Sequence, residues 1–177
     1  ACETWMDVRS FGQVFAFKGS DSVSVGVRGP VSIHPAVSIA PVDVLSMQIT
    51  KSVSNETGEK RGSDTMGMKH RVEHGIYVTY GSINCQLAEK TGFTDEDANA
   101  IHEALKTLFE NDASSARPDG SMVVCEVYWW VHNCKSGLYS SAKVHRSLTV
   151  RPKEAAPYYE VEVQSLEGLE PELYEGV

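Results

Sequence analysis

A chain of 177 residues with 41% hydrophobic composition can fill one substantial core, which favours one domain with insertions over two catalytic domains. The cysteines Cys2, Cys85, Cys125 and Cys134 are far apart and form no CxxC pair, so they read as reduced thiols rather than a disulfide or zinc framework. No run of about 18 apolar residues and no signal-peptide pattern occurs, so the expectation is a soluble, cytoplasmic protein with no membrane partner.

The net charge of -8 argues against a nucleic-acid binder until it is placed along the chain. From Lys153 onward, seven Glu against one Lys give a local -6, which leaves -2 for residues 1–152. Between Lys51 and Arg71, five basic residues face three acidic ones, a local +2. A modest basic strip therefore precedes an acidic tail.

In chain order, Gln13 to Pro30 carries Val/Phe runs around Gly19-Ser20-Asp21-Ser22, the pattern of a projecting hairpin. Val37 to Val53 reads as a strand broken near Pro41, and Ser52 to Met68 as a polar, Gly-rich mobile loop. Gly75 to Asn84 is rich in β-branched and aromatic residues. A helix from Thr94 to Asn111 follows, with Thr94 as N-cap, acids in its first turn, and Ala98, Ile101, Leu105, Leu108 and Phe109 on one stripe. Met122 to His132 and Lys143 to Val150 read as strands, and Tyr158 to Val163 as an edge strand within a 153–177 acidic tail. The expected class is α+β, with one main helix covering a mainly antiparallel sheet and a strand, helix, strand unit around Thr94 to Asn111.

Catalytic chemistry finds little to stand on. His70 and His74 share the i, i+4 spacing of a zinc pair on a helix, but a third ligand is missing, Lys69 and Arg71 would repel a cation, and Gly75 leads into a strand. No GxSxG elbow, phosphate cradle or nucleophile context appears, so neither an enzyme nor a cofactor is expected. Basic and aromatic residues do interleave, in Trp5-Arg9-Phe11, Phe15-Phe17-Lys18 and Tyr128-Trp129-Trp130, which suits single-stranded nucleic acid. Adjacent Trp129 and Trp130 on a strand must face opposite sides, so one is either covered by another element or left at an interface.

Five stretches in order resemble one family: Trp5-Met6-Asp7-Val8-Arg9-Ser10-Phe11-Gly12, Val27-Arg28-Gly29-Pro30-Val31, Asp64-Thr65-Met66-Gly67-Met68-Lys69-His70, Gly75-Ile76-Tyr77, and Leu87 through Asp97. They look like the CRISPR-associated protein seven family in its type I-C branch, over about residues 5 to 150. The resemblance implies an RRM-like or ferredoxin-like palm spanning residues 1–152, with a thumb hairpin at about 13–30 and a flexible loop at about 52–68. It also implies a guide-RNA-holding backbone subunit of a Cascade complex in antiviral defence. The implied partners are guide RNA, target DNA through the guide, head-to-tail copies of the chain and other Cascade subunits.

On that basis the expected RNA-binding residues are Arg9, Phe11, Gly12, Arg28, Lys69, His70 and Arg71. Arg9 either clamps a phosphate or pairs with Asp7 or another acid. Lys69, His70 and Arg71 offer a donor cluster in a loop, or a merely solvated one, and Arg28 serves the thumb, or its Gly29-Pro30 only shapes a turn. Lys143 and Arg146 are weaker candidates. The family's first palm strand and helix and its Gly- and Asn-rich segment do not precede Ala1, so only the C-terminal part of the palm is expected. A different class of reading is a protein-interaction module without RNA contact.

Overall fold

The computed structural model describes residues 1–16, 24–50 and 66–176. The tip of the expected thumb hairpin and nearly all of the expected 52–68 loop fall outside them. In order, the elements are α1 (Met6–Phe11), β1 (Gly12–Phe15), β2 (Val25–Arg28), β3 (Val31–Ile33), β4 (Val37–Ser38), β5 (Val44–Thr50), β6 (Met66–Val72), β7 (Tyr77–Val78), β8 (Gly81–Ile83), α2 (Cys85–Thr91), α3 (Asp95–Lys106), β9 (Glu126–Trp130), α4 (Ser141–Ser147), β10 (Leu148–Pro152), β11 (Tyr159–Val163) and β12 (Pro171–Glu175). The class is α+β with antiparallel strand pairs, a partial RRM- or ferredoxin-like arrangement.

β1 and β2 form a hairpin, Gly12 opposite Arg28 and Phe15 opposite Val25. The next three pairs belong together. Val31 opposes Ile83, Val37 opposes Val78, and Val44 opposes Val72. Each interval on the first side is thus one residue longer than its partner interval, the signature of a bulge. Pro35 and Pro41, which have no N–H to give a ladder, fall in those two intervals. Bridging bonds from His34 N to Tyr80 O (2.8 Å), Ile39 N to Ile76 O (3.0 Å) and Glu73 N to Asp43 O (3.2 Å) keep the two sides paired across the breaks. Pro30 to Thr50 and Met66 to Asn84 therefore run as one long, twice-bulged antiparallel ribbon.

Local signals explain the helices. Asn84 Oδ1 accepts from Leu87 N at 3.0 Å to start α2, and Gly92, in the left-handed region at φ 77°, ends it. Thr94 and Asp97 form a reciprocal capping box at the start of α3, whose buried side holds Asp97 and Ile101. The helix stops at Lys106, five residues short of the expected Asn111, with Leu108 beyond it exposed.

Two further expectations change. The stretches around α3 do not share a sheet, because β8 pairs with β3 and β9 pairs with β12. The expected strand Lys143 to Val150 is helical up to Ser147: Ser140 Oγ accepts from Lys143 N at 3.3 Å, capping α4, and only Leu148 onward extends. The acidic tail is built into the fold. β11 pairs with β10 and β12 with β9, the glutamates of β11 alternating outward between Tyr159, Val161 and Val163. Leu166 and Leu169 join Val144 of α4 in a buried cluster, with Trp130 and Tyr139 packed on it.

Candidate nucleic-acid interface

The Phe11-Gly12 and Arg28-Gly29-Pro30 stretches meet where α1 passes into the hairpin. Gly12 has φ 83°, and a Cβ there would stand 2.2 Å from Val27 O; a Cβ on Gly29 would stand 2.2 Å from Ser10 O. The absence of side chains lets the hairpin base close against the end of α1, with Ser10 fully buried between. Gly12, expected among the RNA-binding residues, thus makes its close approach to this chain's own backbone. Register places Arg28 opposite Gly12, exposed at the hairpin base, and Phe11 is 52% exposed beside it.

Arg9 points inward. Its Nε donates to Asp97 Oδ2 at 2.7 Å, its Nη2 to Asp97 Oδ1 at 2.5 Å, and its Nη1 to Cys2 O at 3.3 Å. The second of the two expectations for this residue holds, with Asp97 rather than Asp7 as the acid. Asp97 is only 4% exposed, and its Oδ2 also accepts from Thr94 N at 3.0 Å. Hydrogen bonds from Arg9, assisted by the Thr94 amide, hold this carboxyl below the usual carboxylate range against the opposing effect of its burial. No sequence pattern announced this pairing. The acids at the start of the helix were legible, but which of them receives a cation 88 positions away depends on tertiary packing.

Lys69, His70 and Arg71 lie on β6 rather than in a loop. Strand alternation divides them: Lys69 and Arg71 share a face with their partners Met47 and Leu45, while His70 and its partner Ser46 occupy the other. Ser46 Oγ and His70 Nδ1 are 2.8 Å apart. Lys69 Nζ donates to Ser115 O at 2.9 Å, and all three residues are exposed. His74 lies past the end of β6 with its ring 5.5 Å from that of Tyr158, so the two histidines do not converge. Among the described residues no group of three or more His, Cys, Asp or Glu is placed to hold a metal ion, and no helix is long and apolar enough to cross a membrane.

The two adjacent tryptophans are both covered. Trp129 stacks on His102 of α3 at 4.5 Å, and Trp130 packs on the Val144, Leu166 and Leu169 cluster. Neighbouring Glu126 accepts from Tyr128 and Tyr159 at 2.6 and 2.8 Å, and burial together with that carboxylate pushes both phenols above their ordinary range. These aromatics are thus packed against neighbouring elements, each partly buried. Lys143 lies with its ammonium 4.1 Å above the Tyr139 ring, and Arg146 is exposed in the last turn of α4.

Of the expected binding residues, Phe11 and Arg28 are exposed at the base of the hairpin, and Lys69, His70 and Arg71 are exposed on the long ribbon. No curated protein matches the chain. The profile of the family described as CRISPR-associated protein Cas7 matches residues 1–167, a span that includes the hairpin, the ribbon and α3. The chain belongs to the CRISPR-associated protein Cas7 family.

Proposed function

We propose that the chain is a guide-RNA-holding backbone subunit of a type I-C Cascade complex, with copies stacked head to tail along the RNA in the cytoplasm. Family members are CRISPR-associated, RNA-binding backbone subunits of Cascade-type complexes and are generally not catalysts. Target DNA reaches such a subunit through pairing with the guide, and other Cascade subunits complete the assembly.

The observation that carries the reading on this chain is the pair Lys69 and Arg71 on one face of an exposed strand. Two residues of strand separate their Cα atoms by about 6.6 Å, so both cations project along one line that a single-stranded backbone can follow. Such contacts grip phosphates without reading bases. Arg28 and the exposed ring of Phe11 provide a second point of contact at the base of the β1–β2 hairpin, which takes the part of the thumb. Arg9, engaged with Asp97, supports that hairpin from within, and Gly12 shapes its base. His70 projects away from the cation row.

A protein-docking module without RNA contact is the competing reading, favoured by the apolar residues Val44, Met66, Met68 and Val72, each at least 40% exposed on the His70 face. Purification with and without nuclease separates the two. Assemblies that dissolve on nuclease treatment support the RNA-holding role, and assemblies that persist unchanged support protein-only docking.

A further inference from the structure

The hairpin hangs on one short helix. α1 runs directly into β1 at Gly12 and packs against β1, β2, β3 and α2. At its far side Arg9 reaches Asp97, the N3 residue of α3, through two parallel N–H to carboxylate bonds. Such a fork fixes the planes of both groups as well as their separation. Asp97 is itself fixed, because the capping box ties its carboxylate to the first turn of α3. The chain of constraint is thus continuous from α3 through Asp97 and Arg9 to α1, and from α1 across the Gly12–Gly29 crossing into β1 and β2.

We infer that Asp97 is a positioning residue that, through Arg9, sets the direction in which the β1–β2 hairpin leaves the body of the protein. The inference rests on the reading of that hairpin as the thumb only for its consequence, the regular spacing of copies on RNA; the clamp itself is a property of the free chain. Neither residue touches RNA. Each governs how rigidly the hairpin is presented.

The test uses the whole chain and three variants: Asp97→Asn, which keeps an oxygen for the Thr94 cap and loses the charge; Arg9→Gln; and the double variant. Hydrogen exchange is measured without RNA. In either single variant the β1 and β2 amides exchange about tenfold faster, and the double variant is no faster than the singles, because both remove one interaction. The β10–β11 amides keep their rates. Where Asp97→Asn does not fold, Arg9→Lys retains the charge without the fork and shows the same hairpin-specific change. Hairpin amides at wild-type rates, or effects of the two changes that simply add, overturn the clamp.

A second measurement titrates single-stranded RNA against salt. With the clamp, Arg9→Gln leaves the salt slope of wild type and blurs the nuclease footprint of adjacent copies. A slope reduced by about 0.7, the value for one lost phosphate contact on a single strand, makes Arg9 a direct RNA ligand and overturns the proposal. A wild-type chain that does not bind RNA refutes the functional reading, and the exchange result still decides the clamp.

Discussion

His102 of α3 lies flat against Trp129 of β9, the ring centroids 4.5 Å apart and the planes 15° from parallel. Its Nε2 is buried without a hydrogen-bond partner among the described residues. Desolvation, with Lys106 nearby, lowers the pKa of this imidazole, against smaller opposing pulls from Glu103 and Glu172. The folded state therefore prefers the neutral ring. Its contribution to stability is complete above the ordinary histidine pKa of about 6.5 and is lost as pH falls through the lowered folded value. Urea unfolding at pH 7.5 and 5.5 will show a loss of stability at the lower pH that is smaller in His102→Phe, which keeps a ring on Trp129 and cannot protonate. Equal losses in both proteins would mean that His102 is not the group responsible.

Lys69 and Arg71 act together and His70 apart from them. Lys69→Ala and Arg71→Ala will each lower the slope of log affinity for single-stranded RNA against log salt by about 0.7, and the double change by about twice that. His70→Ala, measured at pH 8, will leave the slope alone. Fluorescence-anisotropy titrations between 50 and 200 mM salt, on the order of the range in which such slopes are usually read, distinguish this pattern from three equal contributions.

The glycines of the hairpin base are not interchangeable with the one beyond it. Gly12→Ala and Gly29→Ala would drive a methyl to 2.2 Å from a backbone carbonyl oxygen, and Gly12 also holds a positive φ. Each change is expected to destabilise by about 1–3 kcal/mol or more. Gly26→Ala meets nothing within 4 Å and should fall within about 0.5 kcal/mol of wild type. Thermal melting of the three variants under one set of conditions checks the contrast.

The acidic tail is expected to be indispensable to the fold. Leu169, 2% exposed, packs with Leu166 and Val144. Leu169→Ala should cost about 2–5 kcal/mol by chemical denaturation. Glu160→Gln, on an exposed position of β11, should fall within about 0.5 kcal/mol of wild type. A tail that could lose Leu169 without consequence would be an appendage, contrary to this packing.

Some of this was legible from residue order and some was not. The N-cap at Thr94 with the acids that follow it, the Val and Phe runs on either side of Gly19 to Ser22 and the alternation from Tyr158 to Val163 all depend on neighbours within a few positions, and they became the start of α3, the paired strands β1 and β2, and β11. The strand expected from Lys143 begins only at Leu148, because the Ser140 cap starts a helix over Ser141 to Ser147 despite the β-branched Val144. The loop expected at Lys69 proved to be a strand because its partner, Val44 to Thr50, lies across a segment whose composition hides the pairing.

The sequence by itself determined the α+β class, the start of α3 at Thr94, the strands β1, β2 and β11, and the family, since these follow from short-range patterns and from five motifs in a fixed order. Only the tertiary structure decided which cations face outward. Arg9 and Lys69 look alike as letters, yet one is captured by a carboxylate 88 residues away and the other stands on an exposed strand. The physical reason is that an ion pair forms between groups that folding brings together, and the two-residue period of a strand, set by its pairing, assigns neighbours such as His70 and Arg71 to opposite faces.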